Sequence, residues 1–223
     1  SADSGRAYDV SPDAQLVNGK AYIYYSVSAW GDVTHSAIGL ATSGSFDPKS
    51  PNYNWVDQGM VVGSPEGGAG VNVIDPNLFV DDDGSHWLVY GSFHKGVRLI
   101  ELSPQTGLAK TKPLAPITLT TSLGEGSSLI KANGYYFLFV SRGHCCDGLA
   151  STYEVVYGRS TKVTGPYVNR NGQSMNANYE KLLAAGADGN PGQGGQSFFK
   201  ENGQVYINYH AYQPPSGGSV LNV

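Results

Sequence analysis

The residues of this chain that could do chemistry are two carboxylates, Asp75 and Glu125. Each stands at the start of a segment that predicts a β-strand. Asp75 lies between Ile74 and Pro76, and Glu125 lies among glycines and serines that leave space beside it. A pair of carboxyl groups can divide acid and base roles when their surroundings hold them in different protonation states. The other interpretation stays open at this point: Asp75 as a turn cap and Glu125 as a solvated turn residue.

The backbone at Asp75 is restricted by the proline that follows it. Pro76 fixes its own φ and disfavours the helical conformation in the residue before it. We therefore expect Asp75 to be extended, so that its carboxylate cannot swing away with the backbone.

The same local pattern occurs four times along the chain. A short polar opening and an apolar run are followed by an Asn-Gly or Asp-Gly pair and a second strand rich in aromatic and β-branched residues. Such pairs supply the positive φ angles that a two-residue hairpin loop requires. Each interval is long enough for about four short strands, and repeated four-stranded units are typical of a β-propeller. The turn glycines that mark the repeats are Gly19, Gly84, Gly134 and Gly203.

In a propeller, the first strand of each blade lies nearest the central axis, so residues at the start of those strands converge on one pocket. Asp13, Asp75 and Glu125 take such starting positions in three successive repeats. We therefore expect these three carboxylates at corresponding points of their blades, around a shared pocket.

The pattern predicts bounds for each blade. The first runs from about Val10 to Gly59, with outer strands at 36–42 and 54–57, and the second from about Asn72 to Thr111, with its third strand at 96–102. The third opens at Glu125 and closes at 165–167, and the fourth has two strands, up to Tyr212, before a stub at 219–223. The stretch 179–185 has weak helical character and is too short to carry weight.

The composition favours one all-β domain. The chain has 223 residues, with 30 Gly, 12 Pro and 15 Tyr but only 14% charged residues, as expected for many short strands joined by tight turns. The net charge is −4 and Lys and Arg are not clustered, which argues against nucleic-acid and anionic-membrane partners. No stretch has the length of a transmembrane helix, and the first residues lack a signal-peptide pattern. We expect either a removed leader or a start inside a longer chain.

The two cysteines are adjacent, Cys145 and Cys146. A zinc site is excluded because no second pair of cysteines exists to complete a tetrahedral ligand set. A vicinal disulfide would form a strained, rigid feature of its loop with a functional bearing. Two free thiols are the alternative, and the sequence does not decide between them.

A set of motifs in colinear order resembles one known family. The motifs, with their positions, are Tyr-Tyr-Ser at 24–26, Ser-Ala-Ile-Gly-Leu-Ala-Thr-Ser at 36–43, Ile-Asp-Pro at 74–76, Tyr-Gly-Ser-Phe at 90–93, Cys-Cys at 145–146, Ser-Thr-Tyr at 151–153 and Gly-Arg-Ser at 158–160. Together they resemble the endo-1,5-α-L-arabinanases of glycoside hydrolase family 43. The resemblance implies an all-β, five-bladed β-propeller, of which about four blades are represented here. It also implies inverting hydrolysis of α-1,5-L-arabinofuranosidic bonds in arabinan. Alternatives are an exo-acting arabinofuranosidase or β-xylosidase of the same family, and a catalytically inactive propeller that binds carbohydrate.

The resemblance also implies roles for particular residues. Glu125 takes the place of the general acid, and Asp75 that of the aspartate that tunes the pKa of this acid and orients it. The general base of the family is an aspartate in a first blade that has no counterpart here, so the base stays unknown and Asp13 is expected to be structural. An inverting enzyme holds its acid and base roughly 6.5–9.5 Å apart. The residues expected to contact substrate are Asn72, His94, Ser127, Tyr153 and Arg159.

The sequence departs from the family pattern in several places. Residues 10–13 replace a usual Trp-Ala-Pro-Asp, and His94 stands where a sugar-stacking tryptophan is common. The stretch 190–195 is a degraded form of Gly-Pro-Gly-His, whose histidine often holds an axial metal ion. No cofactor is therefore expected to be required, an axial calcium or sodium ion is allowed, and its ligands stay unknown. We expect residues 1–223 to be a single propeller catalytic domain that is incomplete at both ends.

Further expectations concern partners and side residues. The substrate would be arabinan or an arabino-oligosaccharide, with no nucleic-acid or membrane partner, and the protein would be secreted, extracellular and monomeric when complete. His210 is expected to be buried with its polar atoms satisfied. Trp30 and Trp55 could stack on sugars or pack within the blades, and packing is the better interpretation for Trp55 because it lies in a predicted outer strand.

Overall fold

The computed structural model describes residues 7–29, 33–183 and 189–223, and residues 7–10 through their backbone alone. In these ranges the chain forms fifteen β-strands and one short 3₁₀ turn, η1 (Gly148–Ala150). No helix in the described ranges is long and apolar enough to cross a membrane.

The strands form four antiparallel sheets, each wound in simple meander order. The first sheet contains β1 (Ala7–Val17), β2 (Lys20–Ala29), β3 (Ser36–Ser43) and β4 (Val56–Gly63). The second contains β5 (Asn77–Val80), β6 (His86–Ser92), β7 (Gly96–Leu102) and β8 (Ile117–Thr118). The third contains β9 (Glu125–Ala132), β10 (Tyr135–Arg142), β11 (Glu154–Ser160) and β12 (Glu180–Leu183). The fourth contains β13 (Gly194–Glu201), β14 (Gln204–Gln213) and β15 (Gly218–Asn222).

This arrangement confirms the all-β propeller, with four blades in the described part of the chain. All four blades end later than predicted, because the outer strands carry little periodic signal. The outer strand predicted at 54–57 is β4 (Val56–Gly63), which extends the first blade beyond residue 59, and β8 (Ile117–Thr118) extends the second blade beyond residue 111. The stretch with weak helical character instead contains strand β12, which pairs with β11 and extends the third blade beyond residue 167. The expected stub at 219–223 belongs to strand β15, which pairs with β14 and gives the fourth blade a third strand.

Three of the four predicted two-residue turns are confirmed. Asn18, Asn133 and Asn202 have φ near +50°, and each is followed by a glycine with φ near +80°, the backbone of a type I′ hairpin turn. The Gly84 turn is longer. It spans 81–85 and is closed by the Asp81 N–H, which donates to the Ser85 carbonyl oxygen at 2.9 Å. Here the carboxylate of Asp81 reaches the next blade, accepting hydrogen bonds from Lys131 and Tyr136.

The core lies between successive blades. One buried apolar cluster joins side chains of the first two blades, and a second joins those of the second and third. Two fully buried tyrosines in the first cluster have satisfied hydroxyls: Tyr24 donates to the Gly107 carbonyl oxygen at 2.8 Å, and Tyr90 donates to that of Gly67 at 3.0 Å. Each blade buries its apolar face against a neighbouring blade. The packing between blades therefore sets the positions of their first strands relative to one another.

A repeated hydrogen bond holds neighbouring blades together at the start of their first strands. Asp13 Oδ2 accepts from the backbone N–H of Leu78 at 2.7 Å. One blade further on, Asn77 Oδ1 accepts from the N–H of Leu129 at 3.0 Å. Asp13 therefore corresponds to Asn77, and the expectation that it corresponds to Asp75 and Glu125 is wrong.

The buried position of the Asp13 carboxyl group, which binds the neighbouring blade, changes its pKa. Burial raises the pKa of Asp13 from 3.8 to about 6, while hydrogen bonds from Leu78, Gln15 and Asn77 oppose the shift. A carboxyl group whose folded pKa is raised favours the folded state below pH 3.8, and that advantage is lost as the pH rises through about 6.

We expect Asp13→Asn to reduce this pH dependence, because asparagine keeps an acceptor for the Leu78 N–H and carries no charge. Between pH 4 and 6.5 the free energy of unfolding of the variant should fall by about 2 to 3 kcal/mol less than that of the unmodified protein. Denaturant titrations at several pH values would measure it. Parallel pH curves for the two proteins would contradict the buried charge at Asp13.

Candidate active site

A cavity of about 700 Å³ opens where the first strands of the blades begin, and all four blades contribute to its lining. Three carboxylates line it: Asp13, Asp75 and Glu125. The convergence predicted from the repeats is therefore observed, although the three residues do not occupy corresponding positions.

Asp75 adopts a left-handed backbone conformation, with φ +56°, so the extended conformation expected from Pro76 is wrong. Such a conformation costs about 1–3 kcal/mol for a residue other than glycine, although aspartate tolerates it better than most. Two neighbouring blades hold it in place. The Asp75 N–H donates to Ser26 Oγ at 3.1 Å, and Asp75 Oδ2 accepts from the Gly126 N–H at 2.9 Å. Tertiary contacts thus override the local preference and aim the carboxylate at the residue that follows Glu125.

Asp75 is electrostatically coupled to Glu125. Burial is the largest cause that raises the pKa of Asp75 from 3.8 to about 6, and the negative charge of Glu125 raises it further. Hydrogen bonds from Gly126 and Ser11 oppose the shift. The two carboxylates therefore lie close enough to influence each other's protonation, as acid–base chemistry by a carboxylate pair requires.

Glu125 is the first residue of β9 and pairs in register with Ser141. Tyr153, buried in the same cavity, donates its hydroxyl hydrogen to Glu125 Oε1. Burial, and then the charge of Glu125, raise the pKa of Tyr153, so the phenol stays protonated and remains a donor. This bond fixes the carboxyl group through one oxygen.

Four of the five residues expected to contact substrate line the cavity: Asn72, His94, Ser127 and Tyr153. Asn72 Oδ1 and Ser127 Oγ are buried, and neither has a hydrogen-bond partner within the described ranges. An unsatisfied buried polar atom costs about 1–3 kcal/mol. Because both residues line the cavity, these two oxygens suit a ligand whose hydroxyl groups can donate hydrogen bonds to them.

Arg159, the fifth of these residues, does not line this cavity, so the structure does not bring it together with the other four. β11 begins beside the cavity at Glu154, which pairs with Arg142, and Arg159 is five residues further along the strand. This separation amounts to about 17 Å of strand. Its guanidinium group lies over the ring of Tyr135 at 4.8 Å, where it lines a separate hollow of about 380 Å³.

The structure adds two residues to the site that the sequence analysis did not assign to it. His210 lines the cavity, and its ring lies 5.8 Å from that of Tyr153. Its Nε2 is buried and has no partner in the described ranges, so the expectation of a satisfied histidine is wrong. Burial lowers the pKa of His210, which favours the neutral ring. Its place in the repeat, opposite Gly194 at the end of a second strand, was the available signal.

Gln196 is a second addition, and it supports the backbone beside Glu125. Its Oε1 accepts from Ser141 Oγ at 2.7 Å. Its Nε2 donates to the Gly126 carbonyl oxygen at 2.7 Å and to Ser128 Oγ at 3.2 Å. Since Gln196 belongs to the fourth blade, the position of Glu125 depends on packing between blades.

The cysteine pair forms a disulfide, Cys145–Cys146, and both residues line the cavity. Of the two tryptophans considered as platforms, Trp55 contacts the rings of Phe46 and Tyr53, which confirms its packing role. Trp30 lies outside the described residues.

An amide, Gln193, stands where the family's motif has the histidine that often holds an axial metal ion. No group of three or more His, Cys, Asp or Glu residues in the described ranges could hold one. The Gln193 side chain is fully buried, and both polar atoms of its amide lack partners in the same ranges.

Comparison with known proteins identifies a matching family model and several relatives of this chain. The model described as "Glycosyl hydrolases family 43" matches residues 3–222. Extracellular endo-α-(1→5)-L-arabinanase 1 of Bacillus subtilis (strain 168) is 41% identical over 211 residues, covering 93% of this chain and 62% of that protein. The chain therefore spans less than two thirds of that relative.

Two solved structures are similar over nearly the whole chain. One is an exo-1,5-α-L-arabinanase from a bovine ruminal metagenomic library, with a TM-score of 0.85 at 37% identity. The matched region covers 97% of this chain and 74% of the arabinanase chain. The α-L-arabinanase of Cellvibrio cellulosa complexed with arabinohexaose has a TM-score of 0.85 at 32% identity, with coverages of 96% and 72%. Because the family model spans all but a few terminal residues, the chain belongs to glycosyl hydrolases family 43.

Proposed function

We propose that this chain carries the acid half of an arabinan-cleaving active site, acting on α-1,5-L-arabinofuranosidic bonds with inversion. The observation that carries the proposal is the coupled pair Asp75 and Glu125 at the wall of the cavity, with Tyr153 bonded to Glu125. The relatives support the substrate, since one is named an endo-arabinanase and another was solved with arabinohexaose.

In this mechanism the carboxyl group of Glu125 protonates the glycosidic oxygen as its bond to the anomeric carbon breaks. A water molecule adds its hydroxide to that carbon from the opposite face and gives its proton to a base. Tyr153 holds one oxygen of Glu125, and Asp75 fixes the adjoining backbone through the Gly126 N–H. Asn72 and Ser127 would bind sugar hydroxyls with their unpartnered oxygens.

The base is not assigned to a described side chain. Asp13 lines the cavity, but its carboxylate binds the N–H of Leu78 and the amide of Gln15. We therefore expect Asp13→Asn to retain whatever arabinan hydrolysis the unmodified protein shows. Loss of activity with a correctly folded variant would instead identify Asp13 as the group that activates water.

An exo-acting arabinofuranosidase is the second candidate, favoured by the similarity to the ruminal exo-arabinanase. We also propose secretion, since the B. subtilis relative is named extracellular. The monomeric state stays a prediction.

The test is to incubate the protein with linear α-1,5-arabinan and to follow products by chromatography and early ¹H NMR spectra. Endo action should give a ladder of oligosaccharides, whereas exo action should release one short product from the first minutes. Inversion should give the β-anomer before mutarotation. Binding of arabino-oligosaccharides without any hydrolysis would identify a carbohydrate-binding propeller and contradict the proposed enzyme.

A further inference from the structure

The disulfide occupies a specific place in the site. It lies in the connection 143–153 between β10 and β11, and both cysteines line the cavity together with Glu125 and Tyr153. Cys145 is half-buried and Cys146 is exposed. The acid–base chemistry proposed above gives this bond no role.

The connection that carries the disulfide is tied at its base. Thr152 N–H donates to the His144 carbonyl oxygen at 2.9 Å, and His144 N–H donates to Thr152 Oγ1 at 3.0 Å. A side chain at Gly143 would lie 2.4 Å from the Thr152 carbonyl oxygen, so the two arms approach as closely as glycine allows. The disulfide is therefore held on a closed loop that ends at Tyr153, the residue bonded to Glu125.

The surface that this disulfide presents is chemically unusual for a sugar site. Joining adjacent cysteines closes a ring of side-chain and backbone atoms, so neither sulfur can rotate away. The pair forms a small, polarisable, apolar surface without a hydrogen-bond donor. Sugar rings have apolar C–H faces that need such a surface, usually an aromatic ring. None of the described lining residues is a tryptophan; the lining includes the rings of Phe93 and Tyr153, and the hydroxyl of Tyr153 is bonded to Glu125.

We propose that the Cys145–Cys146 disulfide is a substrate-contacting wall of the cavity, against which a sugar ring of the bound arabino-oligosaccharide packs. Opening the bond frees two rotatable thiols and weakens binding. The inference rests on the substrate class proposed above, and it does not require the chain to be catalytically active.

The sequence makes the test selective. The chain contains two cysteines, and both are in this bond, so a reductant has one target. A water-soluble phosphine gives two electrons to the S–S bond, and one water molecule supplies the oxygen of the phosphine oxide and the protons of the two thiols that form. Calorimetric titration with arabinohexaose should give a Kd about 3- to 10-fold higher for the reduced protein than for the oxidised protein. Cys145→Ser/Cys146→Ser should match the reduced protein and show no further response to reductant.

Thr152→Val is the matched control, since it removes the Oγ1 acceptor of the loop anchor and leaves both sulfurs in place. The variant should have a lower Tm but should bind arabinohexaose with the Kd of the oxidised unmodified protein. Reduction should still raise that Kd. A Thr152→Val protein that binds as weakly as the reduced protein would show that loop rigidity, and not sulfur contact, is the cause, and would overturn the proposal.

A second measurement needs no variant. Bound arabinohexaose should slow reduction of the disulfide several-fold, as followed by alkylation of the new thiols and mass spectrometry. Equal rates with and without saturating ligand would overturn the proposal even if the serine variant failed to fold. Arabinohexaose binding with an unchanged Kd after reduction would overturn this inference alone. Absence of binding to the oxidised protein would overturn both the inference and the proposed substrate.

Discussion

Replacing Glu125 with glutamine is expected to reduce arabinan hydrolysis by at least 10²-fold and up to about 10⁴-fold, the range of general acid catalysis. Glutamine keeps the shape of the side chain and an oxygen that can accept from the Tyr153 hydroxyl, but it cannot give a proton to the leaving oxygen. Binding of arabinohexaose should therefore change little. Initial rates and calorimetric Kd values for the two proteins measure the effect.

The leaving group provides an internal check on this assignment. An aryl arabinofuranoside with a good leaving group needs little protonation, so Glu125→Gln should cleave it far better than it cleaves arabinan. Equal loss on both substrates would contradict the general-acid role. Glu201→Gln is a suitable control, because Glu201 is exposed at the opposite end of a first strand. It should leave both activities unchanged.

Asp75→Asn is expected to lower kcat/KM on arabinan by about 10²-fold and to change the pH profile. Asparagine keeps an acceptor for the Gly126 N–H but removes the negative charge that is coupled to Glu125. Repulsion between like charges favours the protonated form of each partner.

Burial and the charge of Glu125 raise the pKa of Asp75 to about 6 in the unmodified protein, so the charge of Asp75 appears as the pH rises through that value. The Asp75→Asn variant lacks this ionisation, so the change in kcat/KM that it causes near pH 6 should be absent. Measurements of kcat/KM from pH 4 to pH 9 on both proteins would test this. Profiles of the same shape, with or without a lower rate, would show that Asp75 acts through backbone position alone.

Features that depend on short stretches of chain could be predicted from the amino-acid sequence. Asn-Gly pairs at 18–19, 133–134 and 202–203 give two-residue turns because their φ preferences are local. The repeat of turn and apolar strand predicts a propeller because each four-stranded unit must bury a face against the next. The same periodicity placed Glu125 and Asp75 around one cavity.

Features that depend on contacts between blades became apparent only in the folded structure. Asp75 is left-handed, against the preference of a residue before proline, because Ser26 and Gly126 hold it from other blades. Arg159 shares a family-like motif but lies far along its strand, because position along β11, not residue type, decides what reaches the cavity.

The disulfide and the hydrogen bond from Tyr153 to Glu125 also could not be predicted from short stretches of the sequence. Adjacent cysteines are compatible with thiols or a disulfide, and the structure joins Cys145 and Cys146 in a disulfide. Glu125 and Tyr153 are 28 residues apart, and Asp75 and Gly126 are 51 apart. Such contacts depend on how blades and loops pack, and residue type and periodicity within a short stretch do not contain that information.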